Sequence, residues 1–117
     1  MNDPDIYKIL TSEQWRTLAR DGSTVGSPLD QQDGFVHFST AAQLSGTLSR
    51  HFKGAGELVL AQISTAGLDG AVLRWEPARD GSLFPHLYAA LPKTAVRQHW
   101  TLHPDGQGRY ALPDLTN

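Results

Sequence analysis

Apolar residues change their period along this chain, and the changes mark its elements. Ile6-Tyr7-Lys8-Ile9-Leu10 is a short run of β-formers after a Pro-containing lead, which predicts a first strand. Thr11-Ser12-Glu13-Gln14 then reads as a capping box, with Thr11 capping and Gln14 reaching back. Trp15, Leu18 and Ala19 follow at helical spacing and give the helix a buried face, and Asp21-Gly22 stops it. Residues 23–32 contain Gly26 and Pro28, end in polar residues and keep neither period, so a loop is expected there. Loops of this length are plain connections, lids or binding loops.

Residues 33–40, Asp-Gly-Phe-Val-His-Phe-Ser-Thr, are the stretch around which the rest is organised. Asp33-Gly34 predicts a turn and 35–39 a strand, with Phe35, His37 and Ser39 on one side and Val36 and Phe38 on the other. Thr40-Ala41-Ala42-Gln43 is a second capping box, opening a helix whose Leu44, Leu48, His51 and Phe52 share a face and which Gly54 closes. Residues 57–63 are apolar enough for a central strand. Residues 71–76 predict a fourth strand, stopped by Pro77. In 83–88 Pro85 predicts an edge or bulged strand, with His86 and Tyr88 on one face. Residues 95–102 predict a further strand, and 105–108 turn the chain back towards a weak last one at 109–112. Two helices in the N-terminal half followed by strands predict an α+β fold with a curved, mostly antiparallel sheet. No linker or repeat divides the chain, so one domain over 1–117 is expected, with 1–5 and 113–117 as loosely ordered tails.

Composition narrows the functional classes. Hydrophobic residues make up 39% and charged residues 19%, enough apolar material for a packed core. The net charge of -2 is spread along the chain, so an extended nucleic-acid surface is not expected, while a basic pocket for one phosphate group escapes such a count. The chain has no cysteine, which excludes disulfides, zinc-thiolate sites and thiol nucleophiles and suits the cytoplasm. The N-terminal residues are acidic and lack the basic region and apolar core of a signal peptide, and no apolar run approaches the roughly 20 residues that span a bilayer. A cytoplasmic protein without a membrane partner is expected; the oligomeric state stays open.

His37 is the foremost candidate for chemistry. An imidazole at a strand end beside a helix start can hold a phosphate, sugar hydroxyl or carbonyl together with free helix amides, or it can be a buried histidine bonded to backbone. Ser39 and Thr40 read first as caps. His51, on the apolar face near a helix C-terminus, reads as a core or capping residue, with Arg50 solvated beside it. Glu76 follows Trp75 and needs a partner, Arg79 or a histidine; it is either a base or cation-stabilising group, or half of an ion pair pinning the loop to the strand. His86 and Tyr88 suit an aromatic ring or a ribose hydroxyl, or form a polar edge. His99 and His103 read as surface residues. No Gly-rich phosphate loop, serine elbow or helix-borne zinc pair is present, and no spacing asks for a metal at His37, Glu76 and His86.

Taken together, residues 33–40, Arg-His-Phe at 50–52, Leu-Arg-Trp-Glu-Pro at 73–77 and Leu-Phe-Pro-His-Leu-Tyr at 83–88 resemble the small bacterial family of unknown function numbered 952. Tyr-Lys-Ile-Leu at 7–10 and Gly-Ser-Pro-Leu-Asp at 26–30 fit the same pattern, and the resemblance runs from about residue 7 to residue 96. That family is similar in fold to the ADP-ribosyltransferases and the RNA 2'-phosphotransferases, which grip NAD or an ADP-ribosylated intermediate in the cleft of a split β-sheet. The resemblance implies an ADP-ribosylation-like split sheet and a nucleotide-type ligand, with NAD as substrate and no required cofactor. It places His37 and Ser39 at the ribose, assisted by Thr40, with Trp75 or Tyr88 stacking on a ring. The reaction implied is ADP-ribosyl transfer or glycohydrolysis through an oxocarbenium-like state, with His37, Glu76 and His86 as catalytic residues. Glu76 precedes His86 in the chain, so the third-motif glutamate of the transferases has no equivalent in order. A non-catalytic nucleotide- or peptide-binding module and a metal-dependent hydrolase are the alternatives.

Overall fold

In the computed structural model, which describes residues 5–115, the chain begins with β1 (Ile6–Thr11), α1 (Ser12–Asp21), β2 (Ser23–Thr24), α2 (Pro28–Asp33) and β3 (Val36–His37). A 3-10 turn (Ala41–Gln43) leads into α3 (Leu44–His51), then β4 (Leu58–Ile63), β5 (Leu73–Pro77), β6 (Leu83–Leu87), β7 (Leu91–Pro92) and β8 (Val96–Leu102). Residues 1–4 and 116–117 of the expected tails lie outside the described residues. Asp5 bonds Gln62 at 2.6 Å and Arg97 at 3.2 Å, and Leu115 packs against the core. No helix among the described residues is long and apolar enough to cross a membrane.

The architecture is α+β and its strand pairing antiparallel. One sheet has the order β1-β4-β8 and a second the order β3-β6-β5, while β2 pairs with β7. Side chains alternate along β1 and both faces of its sheet are covered. Ile6 and Leu10 enter one core with Leu18, Phe38 and Leu87; Tyr7 and Ile9 enter another with Leu44 and Leu48. Double burial explains why β4 is apolar nearly throughout, with every one of its residues buried. Lys8 alternates onto the side of Ile6 and Leu10, and that places an ammonium in the interior.

Three expectations change. Residues 23–32 are not a simple loop, and the described residues hold three α-helices rather than two. Ser27 Oγ accepts from the Asp30 N–H at 3.1 Å, and Asp30 Oδ2 from the Ser27 N–H at 2.8 Å, a capping box with Pro28 at the first helical position. Asp33-Gly34 is accordingly a helix end: Gly34 has φ 86° and its N–H bonds the Asp30 carbonyl at 2.9 Å. Second, β6 is the middle strand of its sheet, not an edge. Pro85 is tolerated because the ladder to β3 ends beside it, at His37↔His86; its carbonyl still accepts from the Phe38 N–H at 3.0 Å. Third, the strand expected at 35–39 divides between the sheets. After Pro85 ends one ladder, Ser39 turns to Tyr7, with paired backbone bonds of 2.8 and 2.9 Å. The weak last strand is only a bridge, Pro104↔Tyr110.

Gly26 shows how tightly the α2 entry is built. It has φ 91°, and a Cβ there would overlap the Asp30 carboxylate. Gly26→Ala is expected to lower stability by about 2 kcal/mol or more through positive φ and displacement of Asp30; an unchanged urea midpoint would refute this.

Candidate functional site

The site is built outwards from Asp30, which is 2% exposed. Its Oδ2 accepts from Lys8 Nζ and Ser27 N–H, both at 2.8 Å, and its Oδ1 from the His37 N–H at 3.1 Å. His37 Nδ1 lies 2.5 Å from the same Oδ1. Burial pushes the carboxyl up, but the bond from His37, the charge and bond of Lys8 and the Ser27 amide outweigh it, holding Asp30 well below the usual carboxylate range. Burial lowers the Lys8 ammonium against the pull of Asp30. Lys8 also donates to the His37 carbonyl at 2.9 Å, so one buried ion pair holds both the backbone and the ring of His37. The other ring nitrogen points outward, 3.0 Å from Asp33 Oδ2.

A second pair faces the first across β3 and β6. His37 and His86 are register partners, their ring centroids 5.2 Å apart. Phe35 wedges against both, 4.6 Å from His37 and stacked 4.2 Å from His86, and it reaches Tyr88 at 5.0 Å. Glu76 Oε1 accepts from the Tyr88 hydroxyl at 2.7 Å and is 2.8 Å from His86 Nδ1. The Tyr88 bond first, and His86 second, hold the Glu76 carboxyl below its ordinary value, while the bond to Glu76 raises the Tyr88 hydroxyl. Arg74 lies 5.0 Å over the Tyr88 ring. Each imidazole is thus gripped at Nδ1 by a carboxylate, which sets its orientation and turns Nε2 away from that carboxylate.

His37, Glu76, His86 and Tyr88 converge in this way, yet they do not all meet open space. A cleft of about 600 Å³ opens between the two sheets and α3. His37, Ser39 and His86 line it, with Phe38, Phe52 and Phe84 among its apolar walls. Ser39 is buried, its hydroxyl 2.9 Å from that of Thr47. Glu76 and Tyr88 are not on the cleft wall; they stand behind His86. Trp75 alternates onto the opposite face of β5 from Glu76, and Thr40 spends its N–H on Gln43 Oε1 at 3.0 Å, so neither borders the cleft. Glu76 bonds His86 and Tyr88 rather than Arg79. His51, expected on an apolar face, is exposed and borders the cleft, while Leu48 and Phe52 on either side of it keep to the core. His99 packs its ring 4.2 Å from Trp15, away from the cleft. Among the described residues no three His, Asp or Glu side chains are disposed to hold a metal.

Sequence reasoning gave no role to Lys8 or Asp30, read Arg50 as solvated and took Arg79 only as a possible partner of Glu76. Ser27-Pro28-Leu29-Asp30 carried a legible signal for Asp30, a capping box with Asp in its last position. Lys8, a lone charge inside an apolar strand, signalled a buried partner. The two arginines carried no signal for a shared site, because only the tertiary structure sets α3 and the β5–β6 turn on one cleft.

The chain matches, over residues 9–99, the protein family described as "Protein of unknown function (DUF952)". Among solved structures it is similar to protein CC0527 from Caulobacter crescentus. The crystal structure of that protein is 36% identical, with a TM-score of 0.86 and coverage of 92% of this chain and 93% of the other. Its solution NMR structure gives 38% identity, a TM-score of 0.77 and coverage of 89% of each chain. No curated protein matches significantly.

Proposed function

The chain belongs to the DUF952 family, and from the geometry of its own cleft we propose that it binds a nucleotide of the NAD or ADP-ribose type. The observation that carries this reading is the placing of His37, Ser39 and His86 together on one wall of a cleft of about 600 Å³ with ring-bearing walls. Such a volume is of the size that takes a nucleotide, and a few convergent polar groups in an apolar lining give orientation. His37, exchanging Asp33 for a ribose hydroxyl at Nε2, and Ser39 meet the ribose, and Phe52 or Phe84 flanks a base. The parting of the two sheets beyond the Tyr7–Ser39 bridge supports the ADP-ribosylation-like split. NAD is then a substrate and no separate cofactor is required. The lack of cysteine and a nucleotide ligand both suit the cytoplasm.

A second observation favours turnover. His86 borders the cleft with Glu76 behind it at 2.8 Å, the arrangement of a general base oriented by a carboxylate. In glycohydrolysis water would add to the ribose C1', the bond from C1' to nicotinamide would break, and His86 would take the proton from the water. Glu76 works through His86 and is a positioning residue in this scheme.

Calorimetry with NAD and ADP-ribose tests binding. Wild type is expected to give saturable heats, and His37→Ala to bind at least about tenfold more weakly, the loss of a hydrogen bond or two at a ribose. No heat for wild type, or equal affinity in the variant, would end the reading.

A further inference from the structure

The end of the cleft away from β3 is cationic. Arg50 and His51 close α3, Arg79 stands in the turn between β5 and β6, and all three border the cavity. Arg50 Nε bonds the Gly46 carbonyl at 3.3 Å, and neither guanidinium forms an ion pair among the described residues. The one carboxylate on the cleft wall, Asp30, is buried and held by Lys8 at 2.8 Å. Asp80, next to Arg79, accepts the Ser82 N–H at 2.9 Å; it is held low first by that bond, with the charge of Arg50 as a lesser cause. Neither guanidinium is therefore paired with a carboxylate on the cleft wall, and Asp80 acts on Arg50 only through its charge. A guanidinium fork matches the oxygens of a phosphate and can bond two of them at once.

We propose that Arg50 and Arg79, one from each wall, clamp the diphosphate of the ligand, with His51 beside them. The inference deepens the nucleotide reading and rests on the same cleft: it assigns a chemical class, the pyrophosphate linkage, to a defined pair of residues. Two forks on separate elements fit a bridging group with oxygens on two phosphorus atoms, and the cavity is larger than one phosphate fills. The clamp also orients the ligand, with the diphosphate at α3 and the β5–β6 turn and the ribose at His37, Ser39 and His86.

A second recess with cationic lining serves as the control. Ser45, Ser49, Lys53 and Arg109 line a recess of about 250 Å³. At 100° per residue, Ser45 and Ser49 point to the face of α3 opposite Thr47, Arg50 and His51. Loss of Lys53 or Arg109 removes the same charge from the protein without touching the cleft.

The probe is inorganic pyrophosphate, titrated calorimetrically at low ionic strength, with adenosine as the phosphate-free comparison. Wild type is expected to bind pyrophosphate. Arg50→Gln and Arg79→Gln should each weaken it by about tenfold or more, the range for a charge-assisted bond. Lys53→Gln and Arg109→Gln should leave it unchanged. Both arginines are exposed, so the variants are expected to melt with wild type. Absence of pyrophosphate binding, retention of affinity in the arginine variants, or equal loss in Lys53→Gln or Arg109→Gln would overturn the clamp. The two readings fail separately. Pyrophosphate bound through the arginines without heat from NAD or ADP-ribose keeps the clamp and removes the nucleotide; ADP-ribose bound equally by the arginine variants removes the clamp alone.

Discussion

Asp30→Ala is expected to cost about 3–5 kcal/mol of unfolding free energy, the effect of removing one partner from a buried ion pair. The size follows from what is left behind. Lys8 Nζ would keep only the His37 carbonyl, and the Ser27 and His37 amides would lose their acceptor. An ammonium stranded in a core is costly even after its pKa has fallen. Lys8→Met should cost less, because the Asp30 carboxylate retains two amides and the His37 ring. The double variant Lys8→Met/Asp30→Ala strands no charge and should recover part of the loss, so additive losses in a urea cycle would count against this account. The pH dependence has a defined sign. A carboxylate whose folded pKa is depressed contributes its full stability above the unfolded value of about 3.9 and loses it as the pH falls from there towards the folded value. Wild type should therefore lose stability more steeply below about pH 4 than Asp30→Asn. Parallel acid profiles would show that Asp30 is not the group responsible.

His86→Ala is expected to slow nicotinamide release from NAD by about 100-fold or more, the ordinary range for a general base. Glu76→Gln keeps the shape of the hydrogen bond but removes the charge behind the imidazole, so it should slow release by less and move the pH profile. A purely structural Glu76 would lower the yield of folded protein without moving that profile. His37→Ala should act chiefly on affinity, raising KM more than it lowers kcat. If wild type binds NAD and releases no nicotinamide above buffer, the cleft is a binding module, and the second reading of the site is discarded. A sensitivity to chelator would favour the hydrolase alternative instead.

How far the site was legible varies residue by residue. His37 could be singled out because a lone imidazole in an apolar strand has few roles. His86 and Tyr88 could be placed on one face from period 2 alone, and their contacts with Glu76 agree with that geometry. Trp75 was misplaced by the same rule left unused: residues 75 and 76 cannot share a face of a strand. His51 was misplaced because helical spacing put it with Leu44, Leu48 and Phe52, whereas only those three reach the core. The helix at Pro28–Asp33 was overlooked because Gly26 and Pro28 read as loop punctuation, although Pro opens helices as readily as it breaks them.

What this chain determines locally is its elements. The strand at β1, the caps of α1 and α2, the two-sided apolar strand β4 and the carriers of His37 and His86 follow from propensity, capping chemistry and alternation, all of which act within a few residues. What only the tertiary structure decided is the pairing across distance. Lys8 finds Asp30 because β1 lies against the α2 entry, and Pro85 sends Ser39 from one sheet to the other. Arg50 and Arg79 border one cleft because the fold sets α3 and the β5–β6 turn on its walls. Contacts between residues tens of positions apart depend on how whole faces bury against each other, and no local pattern encodes which charge will stand opposite which.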